Sequence, residues 1–138
     1  MPSADLTLPL FAEGLATYVS SILSPGHSDG QLLLQDDLGT LPASRLPEIA
    51  GRFLADADAR AIDPAHPEAF ARWFMGSKEN RQPGLPNRAD YWLGLHVIRH
   101  ILHQYALREV ASWSASKAQV QMRAALLQIA QGELTDTD

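Results

Sequence analysis

Apolar side chains recur at steps of three and four residues along most of this 138-residue chain, which is the period of an α-helix buried on one face. No segment shows the two-residue alternation of a half-buried strand. The pattern predicts an all-α fold, a single compact multi-helix domain of about five helices spanning residues 1–138. We expect residues 1–6 and 133–138 to be frayed.

Turn-forming residues divide this pattern into separate helices. The predicted helices are 7–23, 43–59, 68–75, 87–107 and 116–131. In the first, the side chains expected to face the core are Leu8, Phe11, Leu15, Tyr18, Val19 and Ile22. In the second they are Ile49, Phe53 and Leu54, and in the last they are Val120, Ala124, Leu127 and Ile129. The polar, proline-containing run 77–86 is expected to be a surface loop.

Charge and composition exclude several classes of function. The net charge is -5 and the 11 Lys and Arg residues are scattered, so no basic stripe is available for nucleic acid. The chain has no cysteine, which excludes disulfides, thiolate zinc sites and thiol nucleophiles. Only His, Asp and Glu side chains could then hold a metal.

The N-terminal residues lack a positive region followed by a long apolar run, so no secretory signal is expected. No stretch has the length of a membrane span. We therefore expect a soluble, cytoplasmic protein with no membrane partner.

Glu13 is the first candidate functional residue, because it lies beside Gly14 in an otherwise apolar helix. A glycine inside a helix costs about 1 kcal/mol relative to alanine and usually marks close packing or a nearby ligand. The alternative is a Glu13 that is solvated or paired with an arginine.

A second glycine within a helix, Gly94, follows Asp90, Tyr91 and Trp92. We expect Asp90 to interact with the helix dipole in the first turn of its helix. Tyr91 and Trp92 are interpreted as core packing, since aromatic side chains at helical spacing are usually buried.

Three histidines, His96, His100 and His103, are spaced by four and three residues on one helix. Imidazoles at this spacing can bind zinc or nickel if a further ligand approaches. However, Val97 occupies the position of the glutamate base in the HExxH motif of metallopeptidases. The alternative is a polar or surface face of histidines.

Two sequence segments together resemble a known family. They are Glu13-Gly14-Leu15-Ala16-Thr17-Tyr18 and Pro86-Asn87-Arg88-Ala89-Asp90-Tyr91-Trp92-Leu93-Gly94. They are similar to the C-terminal half of a bacterial family of predicted zinc-dependent proteases, which is gluzincin-like, of the HExxH class and DUF2268 type. The resemblance implies that Glu13 corresponds to the third zinc ligand. It also implies that Tyr91 lies near the active site and donates a hydrogen bond to the substrate or oxyanion.

The chain departs from this family because no HExxH motif precedes Glu13. We therefore expect a fragment, a truncated relative, or a domain whose metal-binding half lies on another polypeptide. The first hypothesis is a non-catalytic binding or structural module that associates with a protein partner or with itself. The second is a metal-binding protein or metallohydrolase, with zinc held by His96 and His100 and completed by His103 or Glu13.

Overall fold

A computed structural model describes residues 6–23, 26, 42–58, 73 and 89–132 of the chain. Within these ranges all regular structure is helical, which confirms the all-α prediction. The helices are α1 (Thr7–Leu23), α2 (Leu46–Asp58), α3 (Ala89–Ile101), α4 (Leu107–Ala111) and α5 (Ala115–Ala130), and a 3-10 turn, Ala43–Arg45, precedes α2.

Helix α3 lies at the centre of the described fold. It packs most extensively against α1, while α5 packs against α2, α1 and α3. Most side chains of α3 are buried, as in a helix that its neighbours enclose on most sides. The largest fully buried side chains of the core are Trp73, Trp92, Phe53, Leu6, Leu10, Ile49, Leu93, Leu95, Ile98 and Met122.

Helix α3 is shorter than its sequence pattern predicts. The prediction that it continues to Leu107 is wrong, because the helix ends at Ile101. A tighter turn follows, in which the His103 and Gln104 amides donate to carbonyl oxygens three residues back. Leu107 then begins α4, which lies almost entirely between the predicted helices 87–107 and 116–131. The apolar spacing runs across this break, so periodicity alone does not reveal it.

Helix α2 begins at Leu46, which places Pro47 in the first turn, where a missing amide proton breaks no helical hydrogen bond. Its predicted core residues Ile49, Phe53 and Leu54 are all buried. Asp56 Oδ2 accepts a 2.6 Å hydrogen bond from Trp73 Nε1. The Trp73 ring also meets Phe53 edge to face, at 5.0 Å between centroids.

The core-facing side of α1 differs from the predicted one. Its buried residues are Thr7, Leu10, Gly14 and Thr17. The large apolar residues predicted to face the core are only partly buried, and Ile22 is exposed. Gly14 lets the two helices approach closely, and Phe11, Leu15 and Tyr18 pack against the core as partly buried side chains.

Helix α5 has defined ends. Ser114 is the N-cap, and its Oγ accepts a hydrogen bond from the Lys117 amide at 3.2 Å. Gly132 has a φ of 84° just beyond the C-terminus, a conformation that glycine adopts at little cost. The end of the helix near Gly132 confirms the prediction.

The predicted core face of α5 is wrong for Val120, Ala124 and Leu127, which are exposed. Ile129 is buried as predicted. The buried residues are Ala118, Met122, Ala125, Leu126 and Ile129. This set recurs at steps of four, three, one and three residues and contains more large side chains, so burying it removes more apolar surface from water.

Leu6 was expected to be frayed, but its side chain is fully buried in the core. Gly26 has a φ of 93°, consistent with the predicted turn after α1. Trp73 is helical and buried, whereas the rest of the predicted helix 68–75 lies outside the described residues. The predicted loop 77–86 and the termini 1–5 and 133–138 also lie outside them.

None of the helices in the described ranges is both long and apolar enough to cross a membrane.

Candidate functional site

The backbones of α1 and α3 touch at two glycines. A Cβ atom built on Gly14 would overlap the carbonyl oxygen of Gly94 and lie 2.6 Å from its carbonyl carbon. A Cβ atom built on Gly94 would lie 3.0 Å from the Leu10 oxygen and 3.0 Å from the Gly14 Cα atom. Gly14 has no room for a side chain, and a Cβ atom on Gly94 would fit only tightly against the α1 backbone, so close helix packing requires Gly14 and favours Gly94.

This crossing brings two carboxyl groups together in the protein interior. Glu13 precedes Gly14 on α1, and Asp90 lies one turn before Gly94 in the first turn of α3. Asp90 is only 1% exposed, while Glu13 is partly exposed. We call Glu13 and Asp90 the carboxyl pair.

The carboxyl pair is incompletely hydrogen-bonded. Within the described structure, Glu13 Oε1 and Asp90 Oδ2 are buried and have no hydrogen-bond partner. Buried polar atoms are nearly always paired, and an unpaired one costs about 1–3 kcal/mol. The two unpaired oxygens therefore destabilise the packing of α1 on α3 unless a ligand, an ion or a proton interacts with them.

The protonation state of Asp90 follows from its surroundings. Burial, together with the hydrogen bond to Glu13 and the negative charge of Glu13, raises the pKa of Asp90 to about 9. Hydrogen bonds from the backbone amides of Asp90 and Tyr91 oppose this increase in pKa, but burial outweighs them. Asp90 therefore carries a proton at neutral pH and is a neutral acid beside Glu13.

Two of the three histidines lie on α3, and the third lies in the turn that follows it. His100 is buried, and its Nε2 lies 2.8 Å from Gln128 Oε1 on α5. Because that amide oxygen can only accept, His100 Nε2 carries the proton of this hydrogen bond. The His96 ring lies 4.6 Å from the Trp92 ring, and His103 is exposed in the turn after α3.

The predicted ligands Glu13, His96, His100 and His103 are therefore not brought together as a set. Among the residues that the structure describes, no three His, Asp or Glu side chains are close enough to hold a metal. The alternative, a polar or surface face of histidines, is wrong for His100 because α5 covers it.

Tyr91 is partly buried beside Asp90 and packs against the core. Its backbone amide donates to the Asp90 carboxyl group. The catalytic role that the family resemblance implies for its hydroxyl group stays a prediction.

Asp90 is the site residue that sequence reasoning missed. Its place in the first turn of a helix suggested an exposed charge near the helix dipole, and nothing local indicated burial. A signal was nevertheless present, because both acids lie close to a glycine inside a helix: Glu13 is adjacent to Gly14, and Asp90 is four residues before Gly94.

A second surface feature lies on α5, opposite its buried side. Val120 is 65% exposed and Leu127 is 47% exposed, and Ala124 between them is also exposed. With Lys117 and Gln131 these residues follow alternating steps of three and four, which is the spacing of a coiled-coil seam. We call these five residues the outer face of α5.

Comparisons with models of protein families, with curated proteins and with solved structures find no match for this chain.

Proposed function

We propose that this chain is a non-catalytic helical binding module that associates with a second copy of itself through the outer face of α5. We further propose that it is related to the C-terminal half of the zinc metallopeptidases that its sequence resembles. The observation that carries the association is the exposed apolar seam of Val120, Ala124 and Leu127.

The chemistry of the outer face favours a helix as its partner. Ala124 lies between the two larger side chains, so a second helix can approach closely at that point. The Lys117 side chain at one end is 4.0 Å from Glu109, which offsets its charge when two copies meet. Apolar seams of this spacing bury their side chains when helices pair.

The seam is short, and this sets the expected strength of association. A standard stable interface buries about 800 Å² on each partner. Three exposed apolar side chains, one of them only the methyl group of Ala124, supply less than this area. We therefore expect a weak dimer that dissociates on dilution.

The relation to zinc peptidases is supported by the position of the two sequence segments that suggest it. The first segment lies in α1, and the described part of the second, from Ala89 to Gly94, lies in α3. Although far apart in the sequence, they meet at the contact between Gly14 and Gly94. Such a meeting is expected if the segments descend from one functional site. The missing HExxH motif is the reason for proposing a module without peptidase activity of its own.

Light scattering coupled to size-exclusion chromatography tests the association over a range of chain concentrations. We expect the mass to rise from 15.1 kDa towards twice that value as the concentration increases. The double variant Val120→Ser/Leu127→Ser should remain at the mass of one chain. Leu23→Ser is the matched control, because Leu23 is 77% exposed but lies at the end of α1. A wild-type mass of one chain at every concentration would contradict the association.

A peptidase assay with added zinc tests the other half of the proposal. We expect no cleavage of an unfolded protein substrate above the rate in buffer. Cleavage that a chelator abolishes, and that Glu13→Gln also abolishes, would show that the chain is an enzyme. The two experiments are independent, since neither Val120 nor Leu127 belongs to the carboxyl pair.

A further inference from the structure

Helix α5 has its terminal cation at the end that its own dipole does not favour. The first turn contains Lys117 and no acidic residue, and the last turn contains no basic residue. The helix dipole is positive at the N-terminus and negative at the C-terminus, so a cation stabilises the last turn rather than the first. The C-terminal end of α5 therefore lacks a favourable charge that its own side chains do not supply.

The charge of Lys117 is held at the N-terminal end of the outer face of α5. Its Nζ atom lies 4.0 Å from Glu109 Oε2 and 5.7 Å from the centroid of the Trp113 ring, and both residues precede α5 in the chain. The Lys117 and Glu109 side chains are each about half exposed, so water screens their attraction. The ammonium group is thus positioned at this end and still accessible to a second chain.

The two possible directions of pairing place this charge differently. Parallel pairing in register puts Lys117 of one copy beside Lys117 of the other, and the like charges repel each other. Antiparallel pairing puts Lys117 of each copy beside the last turn of α5 in the other, where the dipole favours it. Residues 133–138, which follow that turn in the sequence, include three acidic residues and no basic one. The charges are therefore complementary only in the antiparallel arrangement.

The spacing of the outer face is compatible with this arrangement. Lys117 lies seven residues before Ala124, and Gln131 lies seven residues after it. Reversing one copy therefore keeps the whole face in overlap, with Val120 opposite Leu127 of the other copy. The small side chain of Ala124 lies near the middle, where the two helices approach most closely.

We propose that two copies of the chain associate antiparallel along α5, with Lys117 of each copy at the C-terminal end of α5 in the other. This inference rests on the proposed self-association. It adds the direction of pairing and the side chain that selects it. A two-fold axis relates the copies, so the contact of Lys117 with the opposite helix end is made twice.

Disulfide cross-linking measures the direction of pairing, because the chain has no cysteine of its own. In the antiparallel arrangement the two copies of residue 120 are seven residues apart along the axis, which is about 10 Å. A disulfide requires Cα atoms within about 7 Å. We expect no cross-linked dimer from Val120→Cys alone or from Leu127→Cys alone, and a cross-linked dimer from their equal mixture after mild oxidation.

Leu23→Cys controls for random collision, because Leu23 is 77% exposed at the end of α1. Light scattering in reducing buffer establishes that each cysteine variant still associates. Cross-linking of each α5 variant with its own copy would mean parallel pairing, which overturns this inference and leaves the self-association intact. A mass of one chain at every concentration would overturn both. A rising mass without a cross-link in any combination would also overturn both, because the copies would then meet elsewhere.

Lys117→Gln tests whether this charge selects the direction. The antiparallel dimer loses two favourable contacts with helix ends, so its dissociation constant should rise by about three- to thirtyfold at low ionic strength. Parallel pairing would instead be relieved of repulsion, and the constant would fall. Arg45→Gln is the control, because it removes a partly exposed cation that precedes α2. Circular dichroism establishes that both variants are folded. An unchanged or lower constant for Lys117→Gln would overturn the proposal.

Discussion

Gly14 on α1 and Gly94 on α3 are in direct backbone contact, with no room for a Cβ atom on Gly14 and only a tight fit for one on Gly94. This contact determines how closely the two most extensively packed helices approach each other. It also places Glu13 and Asp90 together in the interior. The stability of the fold and the geometry of the candidate site therefore depend on the same pair of glycines.

Replacing Gly14 with alanine is expected to destabilise the protein by at least about 2 kcal/mol, because the new methyl group overlaps the Gly94 backbone and the helices must separate. Gly51→Ala is the matched control, since its new Cβ would meet only the Ala130 side chain, at 4.0 Å. That change should be neutral or stabilising by up to about 1 kcal/mol, from the higher helix propensity of alanine. Urea unfolding of both variants measures the difference, and equal stabilities would contradict the glycine contact.

The stability of the chain should depend on pH through Asp90. Its pKa is about 9 in the folded protein, compared with an ordinary value of 3.8. The folded state therefore binds this proton more tightly than the unfolded state does. The resulting stabilisation is complete below pH 3.8 and is lost as the pH rises towards about 9. Over this range the free energy of unfolding should fall by up to about 1.4 kcal/mol per pH unit.

Asp90→Asn isolates this contribution, because the amide cannot titrate. Urea unfolding of wild type and variant in chelator-treated buffer, between about pH 6 and pH 9, gives the difference in stability. We expect the wild type to lose stability relative to Asp90→Asn as the pH rises. Two parallel curves would mean that Asp90 is ionised in the folded state at neutral pH.

The fold class could be predicted because the apolar spacing near 3.6 residues and the turn-forming residues between helices can both be read from the local sequence. The bounds of α1 and the end of α5 follow from such signals. The buried faces of both helices could not be predicted in the same way, because each has apolar residues on more than one side. In α1, Leu10 and Gly14 face α3, and this choice depends on a partner helix that the local sequence does not identify.

The candidate site could likewise be predicted from the local sequence only in part. Glu13 could be singled out because a charged residue beside a helical glycine is locally unusual. Asp90 could not, since an acid in the first turn of a helix has a sufficient local explanation. Its burial results from the packing of α1 on α3, and the meeting of Gly14 with Gly94 is a tertiary fact. The burial of His100 against Gln128 on α5 is likewise a tertiary fact that local spacing does not show.

The N-cap of α5 should contribute measurably to stability. Ser114 Oγ accepts the Lys117 amide, and losing such a cap costs about 1 kcal/mol. Ser114→Ala should therefore lower the free energy of unfolding by about that amount. Ser116→Ala is the control, because Ser116 is exposed inside the first turn and alanine is the better helix former. Equal losses in the two variants would argue against a capping role for Ser114.

Two adjacent leucines on α5 provide a sharp test of which face is buried. Leu126 is fully buried, whereas Leu127 is 47% exposed. Leu126→Ala should destabilise the protein by about 2–5 kcal/mol, because it removes buried apolar surface and leaves a cavity. Leu127→Ala should change stability by less than about 0.5 kcal/mol, as exposed substitutions usually do. Urea unfolding at a concentration low enough to keep the chain monomeric measures both, and a larger loss for Leu127→Ala would mean that the opposite face of α5 packs on the core.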